Sequence, residues 1–209
     1  MTEPAYLTTA RSSYDTVAET YAELIPPLFA KDATGRGMLA AFAELVPTGL
    51  PVADVGCGPG HVTAHLNSLG LPVFGVDLSP KMVEIARQTY PGLRFEVGSM
   101  TALEVPDEAL GGIVAWWSIF HLSPDVLPTL FAQFHRKLAP GGQLVIGFHV
   151  GDETIRPEQA YGHPVSYESN RLQPDHLTDL LTHAGLPVTA RLIINGHKTP
   201  QAVLLAHKS

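Results

Sequence analysis

The segment Asp54-Val55-Gly56-Cys57-Gly58-Pro59-Gly60 sets a carboxylate and three glycines within seven residues. Glycines at this density allow a sharp turn and let backbone N–H groups come close to a ligand. A tight strand-to-helix turn in any α/β domain could carry the same residues. The spacing departs from the dinucleotide fingerprint G-x-G-x-x-G, because the third glycine comes one position early and His61 fills the next slot. Asp77 closes the apolar run that starts at Pro72, about 20 residues beyond the loop. Its carboxylate suits a ribose diol, which offers two O–H donors; the plainer alternative is an acidic residue exposed at a strand end.

Two histidines stand where a proton would have to move. His121 and His149 follow the fourth and fifth predicted strands, and ligands in open α/β sheets bind outside the carboxyl ends of the strands. With an ordinary pKa near 6.5, either imidazole could act as a base or position an acceptor. The chain has 10 histidines, so most of them serve the surface or the packing. Trp116 and Trp117 alternate across a strand, which sends one inward and leaves the other to line a pocket. Tyr14 and Tyr21 share one helix face, either as packing or as a cover over a ligand. His61 and His65 have metal-ligand spacing, but no glutamate lies between them and no third ligand is evident. They read as a solvated helix face, and no metal is expected.

The elements that must position these residues alternate along the chain. The spacing of Tyr14, Val17, Ala18, Tyr21 and Leu24 predicts a helix over Ser12–Leu24, ended by Pro26-Pro27. A second helix is predicted over Gly37–Val46. Strands are predicted at 51–55, 72–76, 93–97, 113–117 and 143–148, with helices at 61–69, at 79–88 behind a Ser79 cap, and from Ser123 to about Leu138. Strands alternating with helices argue a parallel sheet covered on both faces. The polar stretch Asp152–Arg171 breaks the pattern as an insertion or lid. A helix over Pro174–Ala184 and two strands flanking Asn195-Gly196, a hairpin dipeptide, then close the sheet.

Composition sets the outer bounds. The 209 residues are 45% hydrophobic and 16% charged, so a sizeable core can form and disorder is excluded. Thirteen basic against 20 acidic residues leave −7, which argues against gripping a nucleic-acid backbone. The single cysteine, Cys57, excludes a disulfide framework and a Cys-rich zinc site. The polar Met1–Asp15 shows no secretory core, and the longest near-apolar run, Gly111–Phe120, is half of the roughly 20 residues a membrane span needs. One domain in the cytoplasm, without a membrane segment, is the expectation.

With these residues in view, the chain resembles the class I S-adenosylmethionine-dependent methyltransferases. The resemblance is carried by DVGCGPG (Asp54–Gly60), GVDLSPKMVEIAR (Gly75–Arg87), VGSM (Val97–Met100), WWSIFHLSP (Trp116–Pro124) and LAPGGQLVI (Leu138–Ile146), with SYDTVAETYAEL (Ser13–Leu24) as the leading helix. It reaches from about Ser12 to His207. It implies an α/β, Rossmann-like doubly wound sheet of seven strands, mostly parallel with an antiparallel last strand. The parts would be a helical cap (1–47), a cofactor-binding core (48–150), a variable insertion or lid (151–172) and a C-terminal helix with a β-hairpin (173–209).

The resemblance also implies S-adenosylmethionine as cofactor and S-adenosylhomocysteine as product. Gly56, Cys57, Gly58 and Gly60 would lie beneath the methionine and ribose, and Asp54 would order the loop or receive the ammonium group. Asp77 would hold the ribose, with Leu78 and Met82 against the adenine. Ser99 stands where relatives carry an acidic residue, so Ser99 or the Met100 backbone would meet the adenine amino group. Tyr14, Tyr21, Trp116 and His121 would complete the cofactor site. Trp117, His163 and Tyr167 would line the acceptor site, with His121 or His149 as base. The expected activity is methyl transfer to the O or N of a small molecule, in secondary metabolism, by a monomer or homodimer. A non-catalytic cofactor-binding scaffold is the rival from another class. A protein or nucleic-acid methyltransferase would be expected to show a basic face or an appendage; an oxidoreductase would need its third glycine one place later and a Tyr-x-x-x-Lys, and neither of these two is present.

Overall fold

The computed structural model describes residues 4–195 and 199–209, so Gly196 of the expected turn lies outside the described residues. Seven strands form one sheet: β1 (Val52–Val55), β2 (Val73–Asp77), β3 (Arg94–Val97), β4 (Leu110–Trp116), β5 (Leu138–His149), β6 (Val188–Ile194) and β7 (Gln201–His207). Their spatial order is β6-β7-β5-β4-β1-β2-β3. β1 pairs in parallel with both β2 and β4, and β7 runs antiparallel between β5 and β6. The strand order reverses between β2-β1 and β4-β5, and a crevice opens at such a switch point.

The period-2 alternation of the strands sorts the core into two layers. Ala53, Val55, Ile113, Ala115, Leu144 and Ile146 face α5 (Leu127–Lys137) and α6 (Pro174–His183) through Phe131, Phe134 and Leu177. Val52, Val114 and Val145 face the other way, against Phe42 and Leu66 of α2 (Ala33–Leu45) and α3 (His61–Ser68). A smaller cluster of Cys57, Val83, Ala86 and Phe95 seats α4 (Pro80–Thr89). No helix among the described residues is long and apolar enough to cross a membrane.

Four element boundaries differ from the sequence reading. Helix α1 (Ala5–Lys31) starts earlier and runs through Pro26 and Pro27. The prolines remove two intrahelical bonds, but the helix beyond them seats Phe29 edge-on against His61 and His65, with ring centroids 5.2 and 5.4 Å apart. That contact also means the two histidines lie half-buried under α1 and not on a solvated face. Helix α2 begins at Ala33 because the Asp32 carboxylate accepts from Gly35 N–H at 2.8 Å, a cap of the preferred kind. β5 begins at Leu138, opposite Leu110, and a register shift before Gly112 absorbs Pro140-Gly141-Gly142. β4 stops at Trp116, and Trp117 turns out of the sheet with φ +54°.

Candidate functional site

The glycine loop joins β1 to α3 and is locked by its own neighbours. Asp77, at the end of β2, accepts from Gly58 N–H at 2.7 Å through one oxygen and from Ser79 N–H at 2.9 Å through the other. Burial pushes its pKa up, and these two N–H groups pull it back. Gly56 has φ +76°, and a Cβ there would stand 2.4 Å from Cβ of Ser118, whose hydroxyl donates to the Val55 carbonyl at 2.8 Å. Only glycine fits that position. Cys57 lies beneath the loop, its thiol 3.6 Å from the Gly58 carbonyl, and burial pushes the thiol pKa well up.

Asp54 is fully buried at the end of β1, and one carboxylate oxygen accepts from the Thr63 hydroxyl at 2.6 Å. The other, Oδ1, meets no partner among the described residues. Burial raises the Asp54 pKa to about 7 against the lowering by Thr63. Thr63 carried no signal in the sequence beyond its place in the first turn of α3.

Two cavities meet above this loop. The first has about 720 Å³, counting its open mouth, and its walls include Asp77, Leu78, Met82, Ser99, Met100 and His121. Ser99 also caps a short turn, accepting from Thr101 N–H at 3.2 Å. The roof is α1, through Leu7, Arg11, Tyr14 and Tyr21. It is fastened to the edge of the sheet by Asp15, which accepts from the Ser79 hydroxyl at 2.5 Å and Lys81 N–H at 3.2 Å, and by Arg11, which donates to the Leu78 carbonyl at 3.2 Å. The second cavity, about 1770 Å³ on the same measure, shares Tyr14, Tyr21, Gly56, Gly58 and Trp117 with the first and extends to Asp54, Phe120, His149 and Tyr161.

At the junction the Tyr14 hydroxyl lies 2.6 Å from Nε2 of His121, and Nδ1 of that ring lies 2.9 Å from the Glu168 carbonyl oxygen. Burial lowers the His121 pKa to about 4 and raises that of Tyr14 well above its ordinary value. With both ring nitrogens engaged and the neutral form favoured, His121 is better built to hold Tyr14 than to take an acceptor's proton. His149 packs its ring against Trp117 (centroids 5.1 Å apart) and Phe120 (5.4 Å).

Several expected residues sit elsewhere. Gly60 borders neither cavity; a Cβ there would meet the Phe95 ring at 2.7 Å, so this glycine serves packing. Trp116 borders only the second cavity, and Trp117, freed by its left-handed backbone, borders both. Nε2 of His163 hydrogen-bonds with the Thr20 hydroxyl at 3.0 Å, and Tyr167 stacks on Tyr14 with centroids 5.6 Å apart; neither borders either of these two cavities. Both fasten the insertion to α1. The insertion residue that does reach the wall is Tyr161, edge-on to Tyr21 at 5.1 Å.

An adenosine with a methionine tail fits these walls. The unpartnered Oδ1 of buried Asp54 offers an ammonium its counter-charge. Gly58, with φ +53°, leaves a gap to Tyr21 that a Cβ would begin to fill at 3.8 Å.

Comparison with known proteins agrees with this geometry. Residues 52–142 match the family profile described as a methyltransferase domain. Trans-aconitate 2-methyltransferase of Methylobacterium nodulans is 38% identical over 122 residues, covering 56% of this chain and 42% of that protein. Phosphoethanolamine N-methyltransferase 3 of Arabidopsis thaliana is 35% identical over 103 residues, covering 47% of this chain and 21% of that protein. The chain thus spans less than half the length of these curated relatives. In fold it is similar to the crystal structure of Burkholderia thailandensis 1,6-didemethyltoxoflavin-N1-methyltransferase, with a TM-score of 0.77 at 20% identity, over 100% of this chain and 92% of that one. The glycine loop, the Asp77 lock and the profile match point the same way: residues 52–142 match a methyltransferase domain, and the chain is similar in fold to an S-adenosylmethionine-type methyltransferase.

Proposed function

We propose that this chain transfers a methyl group from S-adenosylmethionine to a small-molecule acceptor. The observation that carries the reading is the placement of two carboxylates, Asp54 buried and Asp77 half-buried, at the ends of neighbouring strands. Asp77 is locked to the loop, and Asp54 has one oxygen left over. When bound, S-adenosylmethionine supplies a methyl group on a positively charged sulfur. Asp77 would hold the ribose and Asp54 the ammonium, with Leu78, Met82, Ser99 and Met100 around the adenine. Gly56, Cys57 and Gly58 form the floor, while Tyr14, Tyr21 and the insertion 151–172 keep water out from above. Alignment and exclusion of water supply much of the acceleration available to such a transfer. Where the acceptor must lose a proton, His149 is the residue proposed to take it, since His121 is committed to Tyr14 and Glu168.

A small-molecule acceptor is supported by the relatives, whose names specify trans-aconitate and phosphoethanolamine. The net charge of −7 supports action without nucleic acid. The reading extends to a cytoplasmic monomer or homodimer with a role in secondary metabolism, and its single cysteine is buried, in keeping with a reducing compartment.

Thermal unfolding with S-adenosylmethionine, S-adenosylhomocysteine and NADH tests it. Ligand at 100 times its Kd stabilises by about 2.7 kcal/mol, or roughly 5–11 °C for a domain of this size. A shift with the two sulfur nucleotides that is lost in Asp77→Ala is expected. No shift at millimolar ligand, or a shift with NADH alone, would overturn the donor site.

A further inference from the structure

We propose that the acceptor is a flat, electroneutral aromatic ring system, held between the rings that border the second cavity; the inference rests on the methyl-transfer reading of the neighbouring donor cavity. Those rings converge from three parts of the fold. Trp117, Phe120 and His149 come from the ends of β4 and β5, Phe29 from the last turns of α1, and Tyr161 from the insertion. Three non-glycine residues have left-handed backbones among the described residues, and two of them, Trp117 (φ +54°) and Tyr161 (φ +55°), are in this wall. The chain accepts backbone strain at the two places where it aims an aromatic face into the cavity, as binding sites tend to do.

The charges on the wall point the same way. Apart from Asp54, which lies at the glycine-loop end of this cavity and is proposed above to meet the donor's ammonium, the fully charged side chains are Lys31 and Asp32, adjacent and of opposite sign at the end of α1. Asp32 is already engaged with Gly35 N–H, and Lys31 is exposed to solvent. Among the described residues no arginine borders the cavity. A polycarboxylate or a phosphoester would leave its hydration for a wall with no fork of donors to receive it. The mouth is apolar too: Leu28, on the rim, is 61% exposed. The remaining polar side chains of the wall, Thr34, His61 and the tyrosine hydroxyls, are uncharged, and one polar edge lies where His149 of β5 stands opposite Gln201 of β7 in the antiparallel register. One heteroatom of a ring could be read there while the ring faces pack.

The test is calorimetric titration of the whole chain, with and without saturating S-adenosylhomocysteine. The probes are quinoxaline and 1-naphthol (flat, neutral), cyclohexanol (neutral, not flat), and trans-aconitate and phosphoethanolamine (charged). The aromatic probes are expected to bind at least tenfold tighter than cyclohexanol and either charged probe. Tyr161→Ala is expected to weaken the aromatic probes at least tenfold while S-adenosylhomocysteine binding changes less than twofold. Ile25→Asp, on the half-exposed side of α1, provides a second variant with the same expectation should Tyr161→Ala disturb the insertion. Aromatic probes no tighter than cyclohexanol, or a charged probe tighter than both aromatics, would overturn the proposal. Failure of S-adenosylhomocysteine to bind overturns the donor site alone, because the probe ranking is read on the ligand-free chain as well.

Discussion

Tyr14 and His121 form a directed pair: the phenol donates and the imidazole accepts. The direction is fixed from the far side of the ring, because the Glu168 carbonyl can only accept and so holds the hydrogen on Nδ1. An insertion residue thereby sets the tautomer of a histidine at the end of β4, and the histidine in turn sets the rotation of a hydroxyl on α1.

Tyr14→Phe removes the donor to Nε2 of half-buried His121, a loss of about 0.5–1.5 kcal/mol, the usual net worth of one hydrogen bond. Urea unfolding of Tyr14→Phe, His121→Leu and the double variant is expected to give a coupling of roughly 1 kcal/mol or more. Coupling near zero would show that the pair adds nothing to the fold.

The pH dependence of His121 has a definite sign. Its pKa falls from 6.5 in the unfolded chain to about 4 in the folded one, so the unfolded state binds the proton first. The stability gained by keeping it neutral is complete above pH 6.5 and lost as the pH falls toward 4, by about 2 kcal/mol at pH 5. His61, also lowered to about 4 by burial, adds in the same direction, whereas Asp54, raised to about 7, works against both. The difference between wild type and His121→Asn isolates the effect: the stability margin of the wild type should shrink by about 2 kcal/mol between pH 7 and pH 5. An unchanged margin in urea titrations at the two pH values would contradict it.

Asp54 predicts a different pH dependence, in affinity. An ammonium is held by the ionised carboxylate, and burial keeps this one half-protonated near pH 7. S-adenosylhomocysteine should bind about tenfold more tightly at pH 8 than at pH 6, and Asp54→Asn should bind weakly and flatten that profile. A wild-type Kd independent of pH over this range would remove Asp54 from the ammonium's surroundings.

Gly60→Ala separates packing from ligand contact. Its φ of +84° and the 2.7 Å approach to Phe95 both oppose a Cβ. A stability loss of about 2 kcal/mol is expected, from left-handed strain and the clash. Phe95→Leu should recover part of it, and S-adenosylhomocysteine affinity at 10 °C should stay within about threefold of wild type. A large affinity loss with intact stability would return Gly60 to the donor site.

The glycine loop, Asp77 and the alternating elements were legible because their signals are local: turn residues, a cap, a two-residue or 3.6-residue period. What escaped were outcomes decided by distant partners. Pro26-Pro27 reads as a stop until Phe29 is seen against His61 and His65. Asp32 reads as an ordinary acid until its carboxylate is found capping α2. Strand alternation predicts one tryptophan inward and one at a pocket, and Trp116 is buried while Trp117 borders both cavities, but the left-handed turn that puts Trp117 there carries no sequence signal. Tyr161 sits in a segment without periodicity, while His163 and Tyr167, equally plausible by residue type, turn toward α1. Thr63 was silent because a threonine in a first helical turn usually bonds its own backbone.

The roof over the first cavity is held almost wholly by contacts between remote parts of the chain, with Asp15 to Ser79 spanning 64 residues and Ser13 to Ser166 spanning 153. No sheet ladder runs through it. Closing such long loops carries most of the entropic cost of seating the roof, and few bonds repay it. Lifting this roof would break those side-chain bonds and the packing of Leu7, Val17 and Ala18, while leaving every ladder of the seven-stranded sheet paired.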